Sequence, residues 1–137
     1  MIPDTNPRFP IVMIIDDNTI DLYITSHVIT RQNFGRQILQ YSIASEALNY
    51  LIENSKNVSA LPQIILVDIY MPIMSGFEFM EAYDDLPQSV KDYCNVYVVS
   101  SSIDQKDIMR AEEDKNIIGF CEKPISKITL ENMTISN

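Results

Sequence analysis

Ile11-Val12-Met13-Ile14-Ile15-Asp16-Asp17 is an unbroken apolar run closed by two acids, and Ile64-Ile65-Leu66-Val67-Asp68 repeats that arrangement later in the chain. A strand with one wet face alternates apolar and polar residues; neither run does, so each reads as a strand covered by helices on both faces, hence part of a parallel sheet. Three more runs complete the set: Gln37-Ile38-Leu39-Gln40-Tyr41, Val96-Tyr97-Val98-Val99 and Ile117-Ile118-Gly119-Phe120-Cys121. The Gln37 run carries polar residues and is expected at an edge.

The segments between the runs have helical spacing. Ala44, Ala47, Leu48, Leu51 and Ile52 fall at i, i+3, i+4, i+7 and i+8, behind Ser42 and Ser45 as candidate caps. Thr19 to Arg31 forms another helix, with Ile20, Tyr23, Ile24 and Val28 as its expected inward side. Phe77 to Leu86 carries Phe77, Met80 and Tyr83 before Pro87 stops it. Gln105 to Lys115 is weaker and offers Ile108, Ala111 and Met109 for burial among Asp107, Glu112, Glu113 and Asp114. A short helix from Ser126 to about Met133 ends the chain. Strand and helix thus alternate five times, and parallel neighbours require right-handed crossovers, so the economical architecture is a five-stranded α/β sandwich. Residues 1–137 read as one domain with its core at about 10–133, and Pro62, Pro87 and Pro124 mark loops rather than linkers.

Composition agrees. The chain has 137 residues, one domain's length, and 46% of them are hydrophobic, enough for a core without metal or disulfide staples. A net charge of −9 repels phosphate backbones and anionic headgroups, which argues against direct nucleic-acid or membrane binding. No apolar run approaches the roughly 18 residues that span a bilayer. The first ten residues lack the pattern of a secretory signal, so the expected location is cytoplasmic, with Cys94 and Cys121 as reduced thiols.

Polar residues stand directly behind the apolar runs: Asp16-Asp17 after the first, Asp68 after the third, Ser100-Ser101 after the fourth and Lys123-Pro124 shortly after the fifth. In a parallel sheet all of these reach one edge, and open α/β sheets bind ligands outside the carboxyl ends of their strands. Three carboxylates gathered there repel one another unless a cation lies among them. Mg²⁺, which takes six oxygens at about 2.1 Å and keeps several waters, suits two or three carboxylates plus a backbone carbonyl. A lysine ammonium would balance an incoming phosphoryl group, and a serine hydroxyl would bond one of its oxygens. There is no nearby histidine and no glycine-rich phosphate cradle, which disfavours a nucleotide kinase. A carboxylate can itself be the nucleophile, and Asp68, ahead of the loop Ile69-Tyr70-Met71-Pro72-Ile73-Met74-Ser75-Gly76, is placed for it. Pro72 and Gly76 would shape that loop.

Ile14-Ile15-Asp16-Asp17-Asn18, then Asp68-Ile69-Tyr70-Met71-Pro72 with Gly76, then Ser100-Ser101, then Lys123-Pro124 resemble the receiver domain of two-component response regulators, in order, spacing and strand context over nearly the whole chain. The resemblance is to single-domain, chemotaxis-type regulators. It implies a doubly wound, flavodoxin-like parallel sheet of order 2-1-3-4-5, with helices on both faces. It implies Asp68 as phosphoacceptor, and Mg²⁺, with Mn²⁺ as a substitute ion, held by Asp17, Asp68 and the Tyr70 backbone carbonyl with help from Asp16. Ser100 would take the place of the switching hydroxyl, where threonine is more usual. Lys123 would contact the phosphoryl group ahead of a cis peptide at Pro124, and Phe120 would take the aromatic switch position. In the family the hydroxyl moves toward the phosphoryl group and the ring turns inward, remodelling the face made by the Gln105–Lys115 helix, the fifth strand and the last helix. Few buried contacts in that helix suit a population switch. Tyr70, two residues after Asp68, bears on how fast water reaches the acyl phosphate.

The function implied is a phosphorylation-controlled protein-interaction switch. It would take its phosphoryl group from a sensor histidine kinase or phosphotransfer protein and act on a downstream protein, with no output domain of its own. Such a domain takes part in its own phosphorylation and hydrolysis but has no separate turnover substrate, so it is not an enzyme in the ordinary sense. Two other readings stay open. One is a phosphorylation-independent receiver-like binding module, against which the complete acidic, serine and lysine set argues. The other is a Mg²⁺-dependent phosphohydrolase, which lacks a separate acid/base residue. Individually the motifs have plainer readings: an acidic pair after a strand is usually a solvated turn, Lys-Pro a turn, and Phe120 core filling. Ser102 or Asp104 is the expected cap of the Gln105 helix, and Met71 and Met74 read as packing. His27, the only histidine, lies mid-helix and reads as structural. Only thirteen residues follow Pro124, so the last helix is expected to be short.

Overall fold

In the computed structural model of the chain, residues 6–135 are described. Among them five strands, β1 (Phe9–Ile15), β2 (Gly35–Tyr41), β3 (Ile64–Asp68), β4 (Asn95–Ser100) and β5 (Ile117–Glu122), form one parallel sheet of order β2-β1-β3-β4-β5. Six helices surround it: α1 (Thr19–Arg31), α2 (Ala44–Glu53), α3 (Gly76–Asp84), α4 (Gln88–Tyr93), α5 (Gln105–Glu113) and α6 (Lys127–Glu131). The ends of the 1–137 domain reading, and the first half of the segment read for a secretory signal, lie outside the described residues.

The apolar runs split by strand pleat into two cores. Met13, Ile15, Ile65, Val67, Val96 and Val98 face one side, where Ala47 and Leu51 of α2, Phe79 and Tyr83 of α3, Val90 of α4 and Ala111 of α5 cover them. Val12, Ile14, Ile64, Leu66, Tyr97 and Val99 face the other, under Leu22 and Ile29 of α1 and Leu130 of α6. Burial on both sides is why these runs lack alternation, and β2, at the edge, is only partly buried. Cys94 belongs to the first core and Cys121 to the second, both as free thiols, so the sheet itself separates them.

Several helical details depart from the sequence expectations. On α1 the buried residues are Leu22, Thr25 and Ile29, while Ile20 and Tyr23 are 68% and 70% exposed and Ile24 is exposed as well. That helix is apolar on more than one side, so spacing alone does not choose its phase; the packing of Leu22 and Ile29 on the sheet does, while Asn18 caps the helix, its Oδ1 accepting the N–H groups of Ile20 and Asp21. At α2 the residue before the helix is Ile43, with no side-chain cap, so neither Ser42 nor Ser45 serves; Ile52 is exposed. α3 ends at Asp84, short of Leu86, and begins with a Ser75/Glu78 capping box. Pro87 opens α4 instead of a plain loop; six residues with one buried side chain, Val90, give too little periodicity to read. Asp104, one of the two residues expected to cap α5, does so, but the helix stops at Glu113, short of Lys115. Ser126 caps α6, which is only five residues long. Arg8 secures the C-terminal end of α6: its guanidinium donates to the carbonyls of Leu130, at 3.0 Å, and Met133, and lies over the Phe9 and Phe34 rings.

Candidate functional site

The parallel register brings the ends of β1, β3, β4 and β5 together. Asp68 pairs with Val99 across β3 and β4, Ser100 pairs with Glu122 across β4 and β5, and the Lys123 N–H donates to the Ser100 carbonyl at 2.8 Å. Asp16 and Asp17 follow β1 directly. One oxygen of each of Asp16, Asp17 and Asp68 lies within 4.8 Å of the others. The three differ in setting: Asp16 and Asp68 are buried, whereas Asp17 is exposed.

Lys123 crosses this cluster. Its Nζ is 2.6 Å from Asp16, 3.2 Å from Asp68 and 3.0 Å from Asp21. The second oxygen of Asp16 accepts the Asn18 N–H at 2.9 Å, which ties this acid to the α1 cap. Burial pushes the Asp68 carboxyl up to about 6; Lys123 works against that shift, Asp16 adds to it, and a hydrogen bond from the Tyr70 backbone opposes it. On Lys123 burial alone would lower the pKa, but the Asp16 and Asp21 hydrogen bonds and the charges of Asp68 and Asp16 raise it instead. Two buried acids sharing one ammonium with a third carboxylate beside them leave excess negative charge. That donor set, all hard oxygens converging within 4.8 Å, fits a Mg²⁺-sized cation.

Ser100 is fully buried at the end of β4, its hydroxyl accepting the Ser102 N–H at 3.2 Å. The Lys123–Pro124 peptide is cis. Gly76 opens α3 against the β3 end: a Cβ there would stand 2.3 Å from the Asp68 carbonyl oxygen and 2.8 Å from the Ile69 Cα, so only glycine fits. Pro72 accepts the Met74 N–H within the same loop, and Ile73 there has a positive φ of 70° and is fully exposed. Met71 and Met74 pack on the core, as their sequence setting implies. Phe120 pairs with Val98 in the sheet and is partly buried against the α3/α5 core, so it stands in the strand rather than among the acids. His27 is exposed on α1 and stacks on Tyr23.

Two residues of this region escaped the sequence reading. Asp107 on α5 accepts a hydrogen bond from the Tyr70 hydroxyl, joining the loop behind Asp68 to α5. Asp21, on α1, pairs with Lys123. Asp21 had a signal: with Leu22, Thr25, Val28 and Ile29 it falls at i, i+1, i+4, i+7 and i+8, an acid on an inward stripe. Asp107 had none, since acids are frequent on that helix.

Comparisons with known proteins agree with this geometry. A two-component response regulator from Cytophaga hutchinsonii superposes with a TM-score of 0.85 at 27% identity, over 91% of this chain and 93% of that one. A response regulator receiver protein from Dyadobacter fermentans gives a TM-score of 0.79 at 28% identity, over 88% and 91%. The chemotaxis response regulator CheY4 of Vibrio cholerae, 21% identical over 89% and 92%, shares the fold with a TM-score of 0.68. No curated protein matches the sequence significantly. The family described as response regulator receiver domain matches residues 12–135, nearly the whole of the sheet and its helices. With the strand order, the acidic edge and the lysine before a cis proline all in place, the chain belongs to the receiver domain family of two-component response regulators.

Proposed function

We propose that this receiver accepts a phosphoryl group on the Asp68 carboxylate, with Mg²⁺ bound beside it by Asp16, Asp17, Asp68 and the Tyr70 carbonyl. The observation that carries the reading is the Lys123 ammonium within 3.2 Å of Asp68, beside three carboxylates whose oxygens converge within 4.8 Å. Bound Mg²⁺ would supply charge neutralisation to the transferring phosphoryl oxygens. Asp68 attacks the phosphorus of a phosphohistidine; an O–P bond forms as the donor's N–P bond breaks and the imidazole leaves. Lys123 then faces the phosphoryl oxygens, and Ser100 offers a hydroxyl from the end of β4.

The donor is a sensor histidine kinase or phosphotransfer protein, and the output is a changed surface for a protein partner. α5 suits a responsive element: Ala111 is its one buried residue, so little apolar burial holds it in place. Phe120 lies in the strand beside it and would carry the rearrangement as an aromatic switch. The domain acts as a switch rather than as an enzyme with its own substrate.

The test is intact-protein mass after incubation with a small acyl-phosphate donor, with and without Mg²⁺, for wild type and Asp68→Asn. A single adduct requiring both Mg²⁺ and Asp68 is expected. If wild type forms no adduct and binds no phosphoryl mimic, the phosphorylation-independent module is the better reading.

A further inference from the structure

Lys123 has more carboxylate partners than a phosphoryl contact needs. Of Asp16, Asp21 and Asp68, which lie 2.6, 3.0 and 3.2 Å from its ammonium, the first and last belong to the converging acidic trio, and Asp21 does not. A divalent cation settling in that trio competes with the ammonium for the same oxygens with twice the charge. Asp21 is the carboxylate left to the lysine. We propose that Asp21 is a positioning residue for Lys123: its carboxylate holds the ammonium at the rim of the site when Asp16 and Asp68 turn to a metal ion, so that the lysine is in place for incoming phosphoryl oxygens. The proposal rests on the phosphoacceptor reading above.

The local structure fits the role. Asp21 is the third residue of α1, a helix capped by Asn18, and it shares the inward side with Leu22 and Thr25. A cavity of about 200 Å³ is lined by Asp21, Ile24, Thr25, Ser101, Lys123 and Pro124, so the Asp21–Lys123 pair borders open space that Asp68 does not line. The Lys123 side chain is 10% exposed and that of Asp21 32%, so the pair is partly shielded from water and from salt. An acid in a first helical turn is favourable by itself through the helix dipole. That plain role needs no lysine, yet this carboxylate reaches one 102 residues away in sequence.

The experiment is trace acylation of lysines with acetic anhydride, read by peptide mass spectrometry, on wild type, Asp21→Asn and Asp21→Glu with and without saturating Mg²⁺. In wild type Lys123 is expected to react slowly in both conditions. In Asp21→Asn it stays slow without Mg²⁺, because Asp16 and Asp68 still hold it, and reacts about tenfold faster with Mg²⁺, the loss expected for one charge-assisted hydrogen bond. Asp21→Glu restores protection, and the other lysines do not change. Asp21→Ala, a residue of high helix propensity, gives the same readout should the asparagine variant fold poorly. If Lys123 in Asp21→Asn remains as slow as wild type under Mg²⁺, with at most a lower melting temperature, Asp21 is only a helix-dipole acid and the proposal is overturned. Should wild type take no phosphoryl adduct and bind no Mg²⁺ by calorimetry, the phosphoacceptor reading falls and takes this one with it. An adduct on wild type beside unchanged labelling in the variant sinks the Asp21 role alone.

Discussion

Gly76→Ala is the sharpest test of how the β3 end is built. The new Cβ would meet three backbone atoms: the Asp68 carbonyl oxygen at 2.3 Å, the Ile69 Cα at 2.8 Å and the Asp68 carbonyl carbon at 3.0 Å. Carbon atoms pack best at about 3.5–4.0 Å, so relief requires α3 or the Asp68 backbone to move by roughly 1 Å. Neither is free: the Gly76 N–H donates to the Ile69 carbonyl at 2.8 Å, and Phe77, Phe79, Met80 and Tyr83 fix α3 in the core. Overpacking of this kind costs about 1–3 kcal/mol. Alanine's better helix propensity offsets less than about 1 kcal/mol of it at a first helical position. We therefore expect a net loss of about 2 kcal/mol, seen in urea unfolding as a midpoint lowered by about 1 M for a slope near 2 kcal/mol/M, together with weaker phosphoryl acceptance as Asp68 is displaced. Gly119→Ala is the control: its Cβ would meet only the Tyr97 ring, at 3.1 and 3.2 Å, a side-chain contact a few tenths of an ångström too close, so a smaller cost of about 1 kcal/mol is expected. A Gly76→Ala protein as stable as wild type, or less perturbed than Gly119→Ala, would refute the steric argument.

Other outcomes are expected from the same structure. Burial pushes the Cys94 thiol up to about 12 and that of Cys121 to about 11, so below those values both stay protonated in the folded state. A disulfide reagent at pH 8 should find two thiols only after denaturant is added, and reaction of either in the native protein within the mixing time would contradict the packing. Arg8→Ala removes the donors to the Leu130 and Met133 carbonyls and should cost about 1–2 kcal/mol. Hydrogen exchange should show the amides of Asn132 and Met133 losing protection first, and uniform loss across the sheet would count against a local clamp. Tyr70→Phe deletes the hydroxyl that reaches Asp107; global stability should change by less than about 0.5 kcal/mol because the pair is exposed. The α5 amides should exchange faster, and unchanged exchange there would show that the bond does not restrain the helix.

What the chain determined by itself is the alternation of strand and helix, the burial of the sheet on both faces and the gathering of Asp16, Asp17, Asp68, Ser100 and Lys123 at one edge. These rest on one-dimensional facts. An apolar run without alternation means two covered faces, and a polar residue directly after a parallel strand has only one edge to reach. The motif spacing around Asp68 and Lys123-Pro124 carried the family resemblance for the same reason. The phase of α1, the helix α4, the uncapped start of α2, and the partners Asp21 and Asp107 were settled only by the folded chain. α1 offers apolar residues on more than one side, so its inward face depends on which of them pack on the sheet, and Ile20 and Tyr23 end up in solvent while Asp21 turns toward Lys123. α4 is too short to show a period, and Gly76 looks like any loop glycine until the Asp68 carbonyl is found beside it. Asp21 and Lys123 lie 102 residues apart and Tyr70 and Asp107 lie 37 apart, and local spacing cannot specify such contacts before the chain is packed.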